Sequence, residues 1–110
     1  MGVFPVKESE IKRKILNWLL HQPHVFAFVV PTTGLFDQKR GFWRTAPKRG
    51  VPDLLVCKNS KFIGIEVKTA TGRLRPDQIA FREALELAGG IFILARSVED
   101  VEKVWYNISV

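Results

Sequence analysis

The sequence predicts an α/β fold, with helices packed around a mixed sheet. Apolar residues switch between helical and strand periodicity along the chain, in the order helix, strand, strand, strand, helix, strand, helix. Within its 110 residues there is no internal repeat, low-complexity tract or linker, so residues 1–110 are expected to form one domain around one core.

The first helix is expected from about Lys7 to His21, because Ile11, Ile15, Trp18 and Leu19 recur on one face. Gln22-Pro23-His24 ends it. Phe26 to Val30 reads as a buried strand. Pro31 to Gly50 is the longest irregular stretch, and long loops in small domains are usually functional or disordered. Asp53 to Cys57 is a short apolar strand, in which Cys57 reads as a small buried side chain. Asn59-Ser60-Lys61 is a turn, and Phe62 to Thr69 a second strand, so the two form a hairpin. Pro76 suits the first turn of a helix ending near Gly89-Gly90, with Ile79 and Leu85 toward the core. Ile91 to Ala95 is a fully apolar strand. Ser97 is the expected N-cap of a last helix from Val98 to about Val104.

Composition narrows the function classes. No apolar run reaches the ~18 residues of a membrane span, and Met1 to Lys7 lacks a signal-peptide core. A soluble, intracellular protein is expected. With one cysteine, no internal disulfide forms. The net charge is +6, but it is unevenly spread. Gln38 to Arg75 holds ten basic residues and two acids, whereas Pro76 to Val110 holds three basic residues and six acids. Such a block suits either a polyanionic partner or a solvated basic surface. Its only acids, Asp53 and Glu66, favour the first, because two carboxylates among ten cations look like a metal site facing phosphates.

Strand alternation sharpens this. Residues two apart share a face, about 6.6 Å apart. Ile63, Ile65 and Val67 face one way, while Gly64, Glu66 and Lys68 face the other. A carboxylate and an ammonium on an otherwise apolar strand need a partner or a purpose, and an ion pair on a solvated face is the simpler alternative. The hairpin brings Asp53 toward Glu66. Two converging carboxylates suit a hard divalent cation, Mg²⁺ or Mn²⁺, which polarises a phosphate oxygen and activates water. Lys68 would then hold that water in line, help deprotonate it, or offset transition-state charge. On the helical wheel Glu8 falls within the apolar arc and Glu10 outside it. Glu8 would either reach the metal or favour the helix dipole. Lys39, Arg40, Arg44, Lys48 and Arg49 surround Phe42 and Trp43, a mixture suited to phosphate contact with base stacking, or to core packing of the rings. Arg73 and Arg75 would flank the same phosphates. His21 and His24 have no nearby Cys or Asp to complete a metal site.

Taken together, these motifs resemble the VRR-NUC (virus-type replication-repair nuclease) family, a branch of the PD-(D/E)xK nucleases. The resemblance runs from about Glu8 to Val101. It rests on Glu8, Ile11, Ile15 and Trp18-Leu19, then Lys48-Arg49-Gly50-Val51-Pro52-Asp53-Leu54-Leu55. It continues through Ile65-Glu66-Val67-Lys68, Gly72-Arg73-Leu74, Gln78 with Phe81, and Gly89-Gly90. The resemblance implies a restriction-endonuclease-like three-layer α/β/α sandwich. It implies a site lined by Glu8, Asp53, Glu66, Lys68 and Gln78. Asp53, Glu66 and the Val67 carbonyl would bind Mg²⁺ or Mn²⁺, with Glu8 joining directly or through water. Short stand-alone members look like phage or bacterial proteins and are associated with homodimers that resolve four-way DNA junctions. The expectation is thus a DNA endonuclease of the bacterial or phage-infected cytoplasm, without membrane or small-molecule cofactor. Members often carry Ser at the cap of the Gln-bearing helix, where this chain has Arg75. The competing readings are a non-catalytic DNA-binding module on the same fold and a sequence-specific restriction-type endonuclease.

Overall fold

In the computed structural model, residues 6–31 and 49–108 are described in full, and residues 35–37 and 42–44 by their backbone. The chain runs α1 (Glu8–Leu20), β1 (Val25–Val29), β2 (Leu35–Asp37), β3 (Phe42–Arg44), β4 (Leu54–Lys58), β5 (Lys61–Val67), α2 (Pro76–Leu87), β6 (Ile91–Ala95) and α3 (Val98–Trp105). Helix α1 buries Ile11, Ile15 and Leu19, and the acids Glu8 and Glu10 in its first turn suit the helix dipole. The β4–β5 turn has Asn59 and Ser60 both at positive φ, 51° and 66°. That is the turn geometry whose twist matches the flanking strands of a tight hairpin.

The main sheet has the order β1-β4-β5-β6. The first two pairings are antiparallel, and β5 with β6 is parallel. A parallel pair needs a crossover, which α2 supplies. β2 and β3 form a separate two-stranded ladder. Register sets Leu54 opposite Ile65 and Val56 opposite Ile63, so these side chains share one face. With Val67, Ile93 and Ala95 they meet Ile11, Ile15 and Leu19 of α1 and Val101 and Trp105 of α3 in the core. The Trp18 and Trp105 rings meet edge to face at 5.2 Å. The opposite face carries Leu55, Gly64 and Glu66, and Leu85 of α2 packs over Gly64. The result is the expected three-layer α/β/α sandwich around a mixed sheet. Among the described residues, no helix is long and apolar enough to cross a membrane.

Five expectations change. β1 is an edge strand with Phe26 and Phe28 exposed, rather than a buried one. Cys57 pairs with Phe26 and Phe62 across that same uncovered face, so it too is exposed. An apolar run marks a strand without telling which face is covered. Helix α2 buries only Gln78, and Ile79 is exposed, because the helix meets the sheet through Leu85 instead. The stretch from Pro31 to Gly50 contains β2 and β3, whose three residues each are too few to show alternation. Ser97 occupies the N-cap of α3, but its side chain makes no capping bond. Asp100 instead accepts the Arg96 N–H at 2.8 Å.

Candidate active site

Asp53 immediately precedes β4, and the β4–β5 register carries it beside the end of β5. Its Oδ2 accepts the Val67 N–H at 2.8 Å, which fixes the carboxylate against the neighbouring strand. Two close contacts support this placement. Gly64 leaves room for Pro52, whose Cγ would lie 2.7 Å from a Cβ there. Gly50 has φ +73° and lies so near α2 that a Cβ would sit 2.1 Å from the Asp77 carbonyl oxygen.

Glu66, Lys68 and Gln78 are polar side chains in the interior, 4%, 8% and 3% exposed. All three converge. Lys68 Nζ lies 3.5 Å from Glu66 Oε2, and Gln78 Nε2 donates to that same oxygen at 2.9 Å. Gln78 Oε1 accepts the Arg75 N–H at 2.9 Å. A backbone N–H can only donate, so this bond orients the amide and aims Nε2 at Glu66. Glu66 Oε1 is buried with no hydrogen-bond partner. Burial, then the Asp53 charge, pushes the Glu66 carboxyl up to about 7, and Lys68 partly opposes the rise. A buried carboxylate oxygen without a donor, beside a second carboxylate, is a poor place for two negative charges and a good one for a cation. Asp53 and Glu66 therefore fit a hard divalent ion in donor type and charge.

Glu8 does not join them. It is exposed in the first turn of α1, ahead of Ile11, the first residue of that helix to reach the core. The wheel gives direction around the helix axis, not depth along it. Among the described residues, no group of three or more His, Cys, Asp or Glu is placed to hold a metal. His21 and His24 are both exposed, and His21 Nδ1 lies 2.7 Å from the Asn17 carbonyl of its own helix.

Arg49, Arg73 and Arg75 are exposed. Arg75 Nε bonds Asp77 Oδ1 at 3.2 Å, and this bond holds the Asp77 carboxyl below its ordinary range. Lys39, Arg40 and Lys48 lie outside the described residues, as do the side chains of Phe42, Trp43 and Arg44. Arg75 at the N-cap does not displace the helix start. Asp77 Oδ1 accepts the Gln78 N–H at 3.0 Å and does the work of a capping side chain.

Two positioning residues were not read from the sequence as such. Arg96 Nη1 donates to the carbonyls of Thr69 and Gly72, at 2.8 Å to the latter, and ties down the loop after Lys68. Nothing in the local pattern marks Arg96. Gly64 did carry a signal, since a glycine inside a strand often marks a close backbone approach.

No protein-family model matches the chain, and no curated protein does. Solved structures do. A VRR_NUC domain protein aligns over 96% of this chain and 89% of its own, with TM-score 0.69 and 21% identity. A second structure, a VRR_NUC domain, aligns over 93% of this chain and 97% of its own, with TM-score 0.62 and 19% identity. The fold of this chain is that of the VRR_NUC domain.

Proposed function

We propose that the chain is a VRR-NUC nuclease, a metal-dependent endonuclease that hydrolyses phosphodiester bonds in DNA, with four-way junctions as its preferred substrate. The observation that carries this reading is the orphaned, buried Glu66 Oε1 beside Asp53, on a carboxylate already fixed by Lys68 and Gln78. Asp53, Glu66 and the Val67 carbonyl would hold Mg²⁺ or Mn²⁺. When bound, that ion would polarise a phosphate oxygen and ease deprotonation of the attacking water. Lys68 would stabilise the charge gathering on the phosphorus-bound oxygens as water adds and the leaving oxygen departs with a proton. Gln78 would act by orientation, holding Glu66 so that Oε1 faces the ion. Glu8 would contribute only through water or a shift of the first turn of α1. Arg49, Arg73 and Arg75, with Lys39, Arg40, Arg44 and Lys48, would contact the phosphate backbone. Paired nicks across a junction require two sites related by symmetry, hence a homodimer.

The test is cleavage of a labelled four-way junction beside a linear duplex of matching sequence, with Mg²⁺, Mn²⁺ or chelator. Paired, metal-dependent nicks in the junction, reduced about 100-fold or more in Lys68→Ala with DNA affinity kept, are expected. Equal cutting of both substrates would remove the junction preference and leave the nuclease. Tight binding without cutting by the wild type would establish the non-catalytic module instead.

A further inference from the structure

On the α2 side of the sheet, among the described residues, the helix lies over β6 and the Gly64 region of β5 and does not extend over β1 and β4. Phe26 and Phe28 of β1 are 68% and 44% exposed, and Phe62 at the start of β5 is 47% exposed. Register places Phe26 opposite Cys57 and Cys57 opposite Phe62, so these side chains form one row across three strands. The Phe26 and Phe28 rings sit 5.7 Å apart. Leu55, opposite Phe28, extends the row's apolar character toward Gly64. Leu87, 91% exposed, closes α2 two residues before Gly89-Gly90, and Ile91 then pairs beside Ile63. The C-terminal end of α2 therefore lies at the Phe62 end of the sheet.

We infer that this phenylalanine face is the surface through which two copies of the chain associate. Three observations favour a second copy over other occupants. The row from Phe26 and Phe28 through Leu55 and Cys57 to Phe62 contains no charge, in a chain of net charge +6. Nucleic acid would find no cation there, whereas an identical apolar face can approach without like-charge opposition. The three rings expose on the order of 300 Å², taking about 200 Å² for a whole side chain. With Leu87 this falls at the size of the largest apolar patch of a typical monomer, about 300–600 Å², such patches often being functional. It would supply the apolar centre of a standard interface of about 800 Å² per partner, leaving the rest to a polar rim. Finally, the face is continuous with the candidate site without covering it. Phe62 and Glu66 point the same way on β5, four residues or about 13 Å apart. Dimerisation here leaves each site beside the interface and open at the far end of its strand.

This gives a surface to the homodimer of the proposed function, and its test reads mass rather than cutting, so the two can fail separately. The experiment is sedimentation equilibrium of the full chain, wild type against Phe26→Lys, Leu87→Lys and the control Glu102→Lys on α3. All three positions are exposed, so folding is not at stake. The wild type and the control should run at twice the 12.5 kDa chain mass. Phe26→Lys should weaken association about 30-fold or more, and Leu87→Lys should act in the same direction. Alkylation of Cys57 should be slow in the wild-type dimer and fast in Phe26→Lys. A wild type that is monomeric with reactive Cys57, or monomeric with Cys57 shielded by the chain's own segment 32–48, would overturn the inference. So would a Phe26→Lys protein that dimerises as tightly as wild type.

Discussion

Burial and the Asp53 charge raise the Glu66 carboxyl to about 7 from an ordinary value of 4.5. Between those two values the folded chain binds more protons than the unfolded one. Stability in chelator should therefore fall as pH rises through that window, by up to about 3 kcal/mol, and level off above it. Urea denaturation at pH 5 and pH 8 should show this fall in the wild type and lose most of it in Glu66→Gln; equal pH dependence in both would contradict the assignment. Gln78 offers a second check at this scale. Gln78→Leu keeps the bulk but removes both amide bonds, leaving Glu66 Oε2 and the Arg75 N–H short of a partner. A loss of about 1–3 kcal/mol is expected from the same denaturation curves, and a change under about 0.5 kcal/mol would mean the pair is not a fixed contact. The meeting of Asp53, Glu66 and Lys68 was legible in sequence because strand alternation and one hairpin decide which side chains come together. Glu8 was not, because its distance from the site depends on where α1 begins relative to the sheet.

Among the elements, the start of α2 carries the most constraint. Gly50 presses against its first turn, and Gln78 in that turn holds Glu66. Gly89 also has positive φ, +94°, but a Cβ there meets nothing within 4 Å. The two glycines separate conformational cost from steric cost. Gly89→Ala should cost about 1–2 kcal/mol, the left-handed penalty alone. Gly50→Ala adds a clash with backbone, so it should destabilise more and also lower DNA cleavage by moving Gln78. Thermal unfolding of both variants checks this, and equal losses would show that the Gly50 contact relaxes freely. Helix and strand positions followed from the apolar pattern, since α1 buries one face through Ile11, Ile15 and Leu19, and β5 is buried without a break from Ile63 to Val67. Coverage did not follow. Phe26, Phe28 and Cys57 are as apolar as residues of the core, and they stay exposed because α2 lies over β6 rather than over β1 and β4.

At the scale of the whole molecule, the basic block between Gln38 and Arg75 sets the expected response to salt. DNA affinity should fall steeply as salt rises, with a slope of about 0.9 per phosphate contact. Arg49 and Arg73 are exposed, so replacing either by Ala should reduce that slope by about 1. Arg75 is held by Asp77, and Arg75→Ala should change the slope less. Fluorescence anisotropy across a salt series measures all three, and a flat salt dependence in the wild type would remove the polyanion from the argument. The fold itself was readable from the order of elements. The hairpin of β2 and β3 was not, because its pairing depends on contacts between two three-residue strands.

The most direct measurement is calorimetric titration of Mn²⁺ at pH 8, where the Glu66 carboxyl is ionised. The wild type should bind the ion, Asp53→Asn and Glu66→Gln should each weaken binding at least about tenfold, and Glu8→Gln should change it little. Undetectable binding by the wild type, or unchanged binding in both Asp53→Asn and Glu66→Gln, would contradict a cation site built on that pair.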